Sequence, residues 1–357
     1  MAPTAGASPR LGYTSAMRPR VAPVIAAALA LACAPPERSP LTHHPLPVDP
    51  GSPALRGPGG DLPALDSGPR PDTGADSGAD TGVPAPLGLA VAEVPAGTFW
   101  MGSPPEEPHR GVDERRFRAV LGAPVLFAVH ELTQGQFESL MGWNPAAGGT
   151  DPYGEPCDKG GVDPGLPVAC VTWLDAVAAA NALSRAEGLA PAYTIDGDDV
   201  TWDRTAAGWR LPTEVEWERA ARGGQSFIYG HTDDPAAACT GGNLSDQTAL
   251  ANDPRVNYPF PCSDGSWLLT PPGSFGVNPF GVADMLGNVY EWVWDREGAY
   301  PPDDTVDWAG PEAGARRVRR GGGWHSVASP LRVAYRRSYP PDYRFGNLGL
   351  RLRRTLP

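Results

Sequence analysis

Apolar residues fall into two regimes along this chain. From residue 87 onward they recur at strand or helix spacing, whereas before it, one short N-terminal run aside, they follow no period. Leu87-Gly-Leu-Ala-Val-Ala-Glu-Val-Pro-Ala-Gly-Thr-Phe-Trp-Met101 reads as strand–turn–strand. A second strand-like run, Pro124–His130, leads into a helix within Glu131–Met141, with Thr133 as N-cap and Phe137, Leu140 and Met141 on one apolar face. Thr172–Glu187 is the strongest helical segment, and Gly188 ends it. Another helix opens at Pro212-Thr213, where Thr213 and Glu216 fit a capping box and Trp217 brings a large apolar side chain. Arg210, Glu214 and Arg222 are candidates for a semi-buried ionic network. After residue 224 the pattern reads as mostly loop with short apolar runs. There is no βαβ alternation, so the predicted class is α+β with long irregular connections.

The N-terminus reads as a targeting segment. Arg18 and Arg20 precede the apolar run Val21–Ala32, which is short for a bilayer span and follows the order of a signal peptide. Met17 offers an alternative start to Met1. The run ends in Ala30-Leu31-Ala32-Cys33, similar to a bacterial lipobox, so Cys33 is the expected lipidated residue. Its leucine sits one place later than the commonest pattern, which keeps ordinary cleavage near Ala32 open. Residues 34–86 are Pro, Gly, Asp, Ser and Ala without periodicity; such a segment cannot bury enough apolar surface to offset the entropy of ordering it. The expected organisation is a signal peptide over 1–33, a disordered tether over 34–86 and one globular domain over 87–357. The expected location is the cell envelope, with the membrane as a partner through the N-terminal lipid; a secreted or periplasmic protein is the alternative.

Composition narrows the partners. Gly 44 and Pro 43 fit a tether plus a loop-rich domain, and 11 tryptophans supply material for a core. A formal net charge of -12 argues against nucleic acid or an anionic membrane surface. Beyond Cys33 the cysteines are Cys157, Cys170, Cys239 and Cys262, an even set that in an exported chain favours disulfides. Sequence alone leaves the pairing open. Nearest-neighbour pairing, Cys157–Cys170 and Cys239–Cys262, closes two short loops worth roughly 3 kcal/mol each. Zinc is the rival reading, without a C-x-x-C or a His pair at ligand spacing to support it.

Several stretches in order resemble the sulfatase-modifying-factor (formylglycine-generating enzyme) family. They are Val94-Pro-Ala-Gly-Thr-Phe-Trp-Met-Gly102, Leu166-Pro-Val-Ala-Cys-Val-Thr-Trp173, the segment Trp209–Gly224, Gly281-Val-Ala-Asp-Met-Leu-Gly-Asn-Val-Tyr-Glu-Trp292, Arg317-Val-Arg-Arg-Gly-Gly-Gly-Trp324 and Gly346-Asn-Leu-Gly-Leu-Arg351. The resemblance implies a C-type-lectin-like variant fold with little regular secondary structure. It also implies structural calcium, with the Asp284 and Glu291 side chains and the Gly287 and Val289 carbonyls at one site. Asn243, Leu244, Asp264 and Ser266 fall at a second, where the loop after Gly265 carries an extra residue before Thr270. Carboxylates seven apart around a Gly-Asn turn can wrap a hard cation; surface carboxylates in a turn are the plain alternative.

The family's chemistry resides in two cysteines five residues apart, able to bind copper(I) linearly. Here Ser326 occupies the first position and Leu331 the second, and neither replaces a thiolate. Copper and the family's oxidase chemistry are therefore not expected. No nucleotide loop, nucleophile elbow or iron-ligand histidine pattern takes their place, and His325 beside Ser326 reads as a packing residue. Trp324, Tyr335, Tyr339, Tyr343 and Phe345 lie among Arg319, Arg320, Arg332, Arg336, Arg337 and Arg344. That mixture suits either a recognition surface for a protein or small ligand, centred on Trp324, His325, Tyr335, Arg336 and Tyr343, or a strand-poor core closed by arginine pairs. The function expected is a binding or scaffold module. The alternative is a formylglycine-generating-type oxidase acting on protein cysteine, or another enzyme using the same groove.

Overall fold

The computed structural model describes residue 87 and residues 89–356, apart from 152, 153 and 303. The signal peptide, Cys33 and the tether lie outside the described residues. The expected strand–turn–strand is β1 (Val91–Val94) and β2 (Gly97–Met101), which enter different sheets. Strand β3 (Phe117–Leu121) pairs antiparallel with β2, and β4 (Val125–Ala128) pairs antiparallel with β1, Val91 opposite Ala128.

Helix α1 (Gln134–Met141) starts where expected: Thr133 caps it, and Gln136 reaches back to complete a capping box. Of its proposed apolar face only Phe137 is fully buried; Leu140 and Met141 pack partly exposed. Helix α2 (Trp173–Ala186) has the same box from Thr172 and Asp175. A hairpin of β5 (Tyr193–Asp196) and β6 (Asp199–Trp202) follows, then α3 (Glu214–Arg222), capped by Thr213 and Glu216 and stopped by Gly223 in the left-handed region. Helix α4 (Gln247–Asn252) is a single short turn further on.

The region beyond residue 224 carries more order than its pattern suggested. It holds β7 (Tyr290–Arg296), β8 (Thr305–Val306), β9 (Arg317–Arg320), β10 (Arg337–Tyr339), β11 (Leu348–Leu350) and β12 (Arg353–Thr355). The order β10-β9-β7-β11 makes one sheet, β1-β4-β12 a second and β2-β3-β8 a third. Strand β7 is buried on both faces along most of its length and so shows no alternation, and β9 buries arginines. Both therefore escaped a periodicity test.

The core joins α2 to β7. Trp173, Trp209, Trp217 and Trp292 are fully buried. Trp173 Nε1 donates to the Val293 carbonyl at 2.9 Å and Trp292 Nε1 to the Val171 carbonyl at 3.0 Å, so each indole both fills space and ties the other element's backbone. Arg210, Glu214 and Arg222 are all in buried ion pairs, though not with one another. Arg210 pairs with Glu216 at 2.7 Å, Arg222 with Glu218 at 2.6 Å, and Glu214 with Arg320 at 2.6 Å and Arg336 at 2.5 Å. Two disulfides, Cys157–Cys170 and Cys239–Cys262, join Cα atoms 5.7 and 5.9 Å apart, within ordinary disulfide reach. Among the described residues no helix is long and apolar enough to cross a membrane.

Candidate functional site

Strand β9 ends in three glycines, and the chain turns there with Gly321 and Gly322 at positive φ. A Cβ at Gly322 would collide with the Leu331 side chain, so the turn and Leu331 need each other's shape. Leu331 is buried with Tyr229, Leu244, Phe260 and Leu286. Ser326 is also buried. Its Oγ accepts from the Gly323 amide at 3.0 Å and donates to the Tyr290 hydroxyl at 3.2 Å, while its carbonyl accepts from Ser245 N at 3.1 Å. Both positions at which the family resemblance places thiolates are thus packing positions here.

Immediately before Ser326 the chain borders a groove of about 210 Å³. Trp267, Trp324, Phe345 and Val256 give it apolar walls, and Asn347 and His325 sit among them. Asp151, Glu155, Lys159 and Asp253 bring charge to its lining. Trp267 is 41% exposed, unusual for an indole with so much core available to it. A chain of rings leads away from the groove: Trp324 to His325 at 5.0 Å, His325 to Phe345 at 6.2 Å, then Phe345, Tyr343 and Tyr339 in stacked steps of 6.4 and 4.3 Å. Arg319 closes the far end over Tyr339 and Tyr290.

The aromatic and arginine residues of the C-terminal segment therefore separate. Trp324, His325 and Tyr343 share the face just described, and Tyr335 lies nearby among Tyr290, Arg319 and Tyr339. Arg336 does not belong to that surface. Its guanidinium is buried on Glu214 at 2.5 Å, under Tyr300, because a fully buried Glu214 needs cationic partners. Arg320 and Arg332 are likewise internal, Arg332 on Glu107 and Glu114 at 2.7 Å each. Trp267 and Val256 join the groove from a loop far away in sequence, and no local signal marked them. Packed protein atoms, then the charges of Arg319 and Lys159, push the His325 pKa down to about 4. The ring is nevertheless exposed, which argues for a smaller displacement in the same direction.

The two loops assigned to calcium differ in fit. Around Asp264, Leu244 N donates to Oδ2 at 2.8 Å and Ser266 N to Oδ1 at 2.7 Å, so the expected residues do come together. The buried Asn243 Oδ1 has no hydrogen-bond partner among the described residues, as an oxygen reserved for a cation would. Burial, reinforced by the Asp246 charge, raises the Asp264 carboxyl to about 6.

At the other loop, Gly287 packs against the Asn243 carbonyl where a Cβ would collide, bringing the two loops into backbone contact. Glu291 does not fit the ligand role expected of it. Its Oε1 accepts from Arg351 Nε and Nη2 at 3.0 and 2.8 Å, and its Oε2 from Trp217 Nε1 at 2.7 Å. Asp284 is held by protein groups as well: Gly273 N donates to Oδ2 at 2.5 Å, and the side chain shares a hydrogen bond with Glu131. A cavity of about 170 Å³ reaches Asp284. Sequence reading missed Glu131, which is fully buried beside Asp284. Burial and then the Asp284 charge push its carboxyl well above the usual range. Among the described residues no three His, Cys, Asp or Glu side chains converge on one point, so a cation at either loop would lean on carbonyl oxygens.

Known proteins agree with this architecture. The chaperone protein LppX of Paenibacillus barcinonensis is 31% identical over 245 residues, covering 63% of this chain and 78% of LppX. The formylglycine-generating enzyme of Mycobacterium tuberculosis is 33% identical over 237 residues, covering 57% of this chain and 73% of the enzyme. Among solved structures, Treponema denticola variable protein 1 superposes with a TM-score of 0.61 at 26% identity, covering 75% of this chain and 95% of its own. PvdO from Pseudomonas aeruginosa superposes with a TM-score of 0.55 at 27% identity, covering 74% and 94%. The sulfatase-modifying factor enzyme 1-like domain matches residues 87–356, and the chain belongs to that family.

Proposed function

We propose that this protein is an exported, lipid-anchored binding or scaffold module whose ligand seat is the aromatic groove beside Ser326. The observation that carries the reading is the burial of Ser326 and Leu331 as packing residues next to an open groove walled by Trp267, Trp324 and Phe345. A seat without a thiolate pair can hold a ligand but cannot bind copper(I) in the linear way that the family's oxidation needs. Similarity to a chaperone protein favours a polypeptide as the ligand. Exposed aromatics supply contact area at low entropy cost, which suits that role. Calcium is a structural ion in this reading, held at the Asp264 loop and beside Asp284. Cys33 carries the lipid, and residues 34–86 set the domain off from the membrane.

The experiment is aggregation of a chemically unfolded model enzyme, followed by light scattering with and without the full chain. Dose-dependent suppression that the Trp267→Ala/Phe345→Ala variant loses is the expected result. No suppression by folded protein, or suppression that the variant retains, contradicts the groove as the seat. The second reading, a formylglycine-generating-type oxidase, draws on relatives bearing that name and requires chemistry at Ser326 and Leu331.

A further inference from the structure

Neighbouring arginines of β9 have unlike surroundings. Arg320 lies on Glu214 and Glu218 at 2.6 and 2.5 Å, the pairing that a buried guanidinium needs. Arg319 is also buried, 8% exposed, but it meets tyrosine faces: its guanidinium stands 3.7 Å from the centre of the Tyr290 ring and 4.5 Å from that of Tyr339. Its Nε has no acceptor among the described residues. Directly across the sheet is another cation, because Arg337 of β10 is the register partner of Arg319 in an antiparallel pair. Side chains placed in this way leave the same face with their Cβ atoms about 5 Å apart, where like charges repel. Neither guanidinium has a carboxylate partner among the described residues.

Hydroxyl groups join this cation pair. Arg337 is exposed and hydrogen-bonds the side chains of Tyr335 and Tyr339, whose rings are half-buried. A phenol that accepts from a guanidinium keeps its own proton to donate. The cluster thus offers two guanidiniums and two hydroxyls with no anion of the protein to answer them, which is the complement of a carboxylate. Its position says which carboxylate. Stacked rings run from Phe345 in the groove wall through Tyr343 to Tyr339, and Arg319 lies over the last of them. An extended polypeptide advances about 3.3 Å per residue, so a segment seated against Phe345 reaches the arginine pair within a few residues. We infer that Arg319 and Arg337, with Tyr335 and Tyr339, bind an acidic side chain of the polypeptide seated in the groove, so that the module selects apolar segments flanked by aspartate or glutamate.

This inference rests on the polypeptide reading of the groove, and the test separates the two. A permanently unfolded model polypeptide is dye-labelled in two forms, with its carboxylates free and with them converted to amides. Its affinity for the full chain is measured by fluorescence anisotropy at one fixed ionic strength, with circular dichroism to confirm folding. The quantity read is the ratio of dissociation constants, amidated form over free form. Arg337→Gln is expected to lower that ratio about tenfold relative to the parent, the loss of one charge-assisted contact. Arg319→Gln is expected to do the same, and the exposed Arg337 holds as the test if Arg319→Gln does not fold. Arg118→Gln makes the same charge change at an exposed site, beside Asp304, and is expected to leave the ratio unchanged. An equal ratio in the parent and in folded Arg337→Gln overturns the inference, while the groove reading stands if Trp267→Ala/Phe345→Ala still abolishes binding. An equal fall in Arg118→Gln also overturns it, because the effect is then one of overall charge. No binding of either form by the folded parent overturns both.

Discussion

Ser326 and Tyr290 meet hydroxyl to hydroxyl at 3.2 Å inside the domain, with the Gly323 amide donating to the same serine oxygen at 3.0 Å. Burial raises the pKa of the Tyr290 phenol, so this pair stays neutral at ordinary pH. A serine held this way is a tie between the glycine turn and β7. Ser326→Ala leaves the Gly323 amide without that acceptor and is expected to lower stability by about 1–3 kcal/mol. Leu331→Ala opens a cavity under the turn and is expected to lower it by about 2–5 kcal/mol. Urea unfolding of both variants checks this, and changes within about 0.5 kcal/mol would contradict a packing role.

Glu214 anchors two arginines at once, Arg320 at 2.6 Å and Arg336 at 2.5 Å. Removing its charge leaves both guanidiniums buried with less compensation, so Glu214→Gln is expected to cost about 3–5 kcal/mol. The exposed pair Lys159–Glu155, at a similar 2.7 Å, is the control. Lys159→Ala is expected to change stability by less than about 1 kcal/mol. Equal effects of the two substitutions in thermal or denaturant unfolding would contradict the distinction.

His325 sits on the groove face with its pKa displaced downward from 6.5 by surrounding protein and by Arg319 and Lys159, less far than full burial would drive it because the ring is exposed. Just below 6.5 the unfolded chain therefore binds the proton more readily than the folded one. The contribution of His325 to stability is present above pH 6.5 and is lost as pH falls through the lowered folded value. An NMR titration of the imidazole is expected to give a midpoint below 6.5, and Lys159→Ala is expected to raise it. A midpoint at or above 6.5 would contradict the geometry.

Local chemistry was the legible part of this fold. Thr133, Thr172 and Thr213 cap the three main helices because each capping box is written within four residues. The strands beyond residue 224 were not legible. Strand β7 is buried on both faces and β9 is built of arginines that tertiary partners neutralise, so neither carries a period-2 signal. Arg336 was placed on the ligand surface for the same reason: interleaved aromatics and arginines look alike whether the acids that pair with them lie in solvent or in the core. Glu131 gave no sign in sequence, since what distinguishes it is that the fold buries it beside Asp284. Trp267 was invisible as a groove residue because the loop that carries it is brought over Trp324 by tertiary structure alone.

The central claim is that a family member with Ser326 and Leu331 inside its core holds ligands and does not oxidise cysteine. The most direct measurement is turnover: full-chain protein, loaded with calcium and supplied with copper(I) and oxygen, is incubated with a peptide bearing the sulfatase-type Cys-x-Pro-x-Arg motif, and the peptide is followed by mass spectrometry. The expected result is no formylglycine above a no-protein control. Conversion of the peptide cysteine by the folded protein would contradict the claim and require a reaction centre built without thiolates at these two positions.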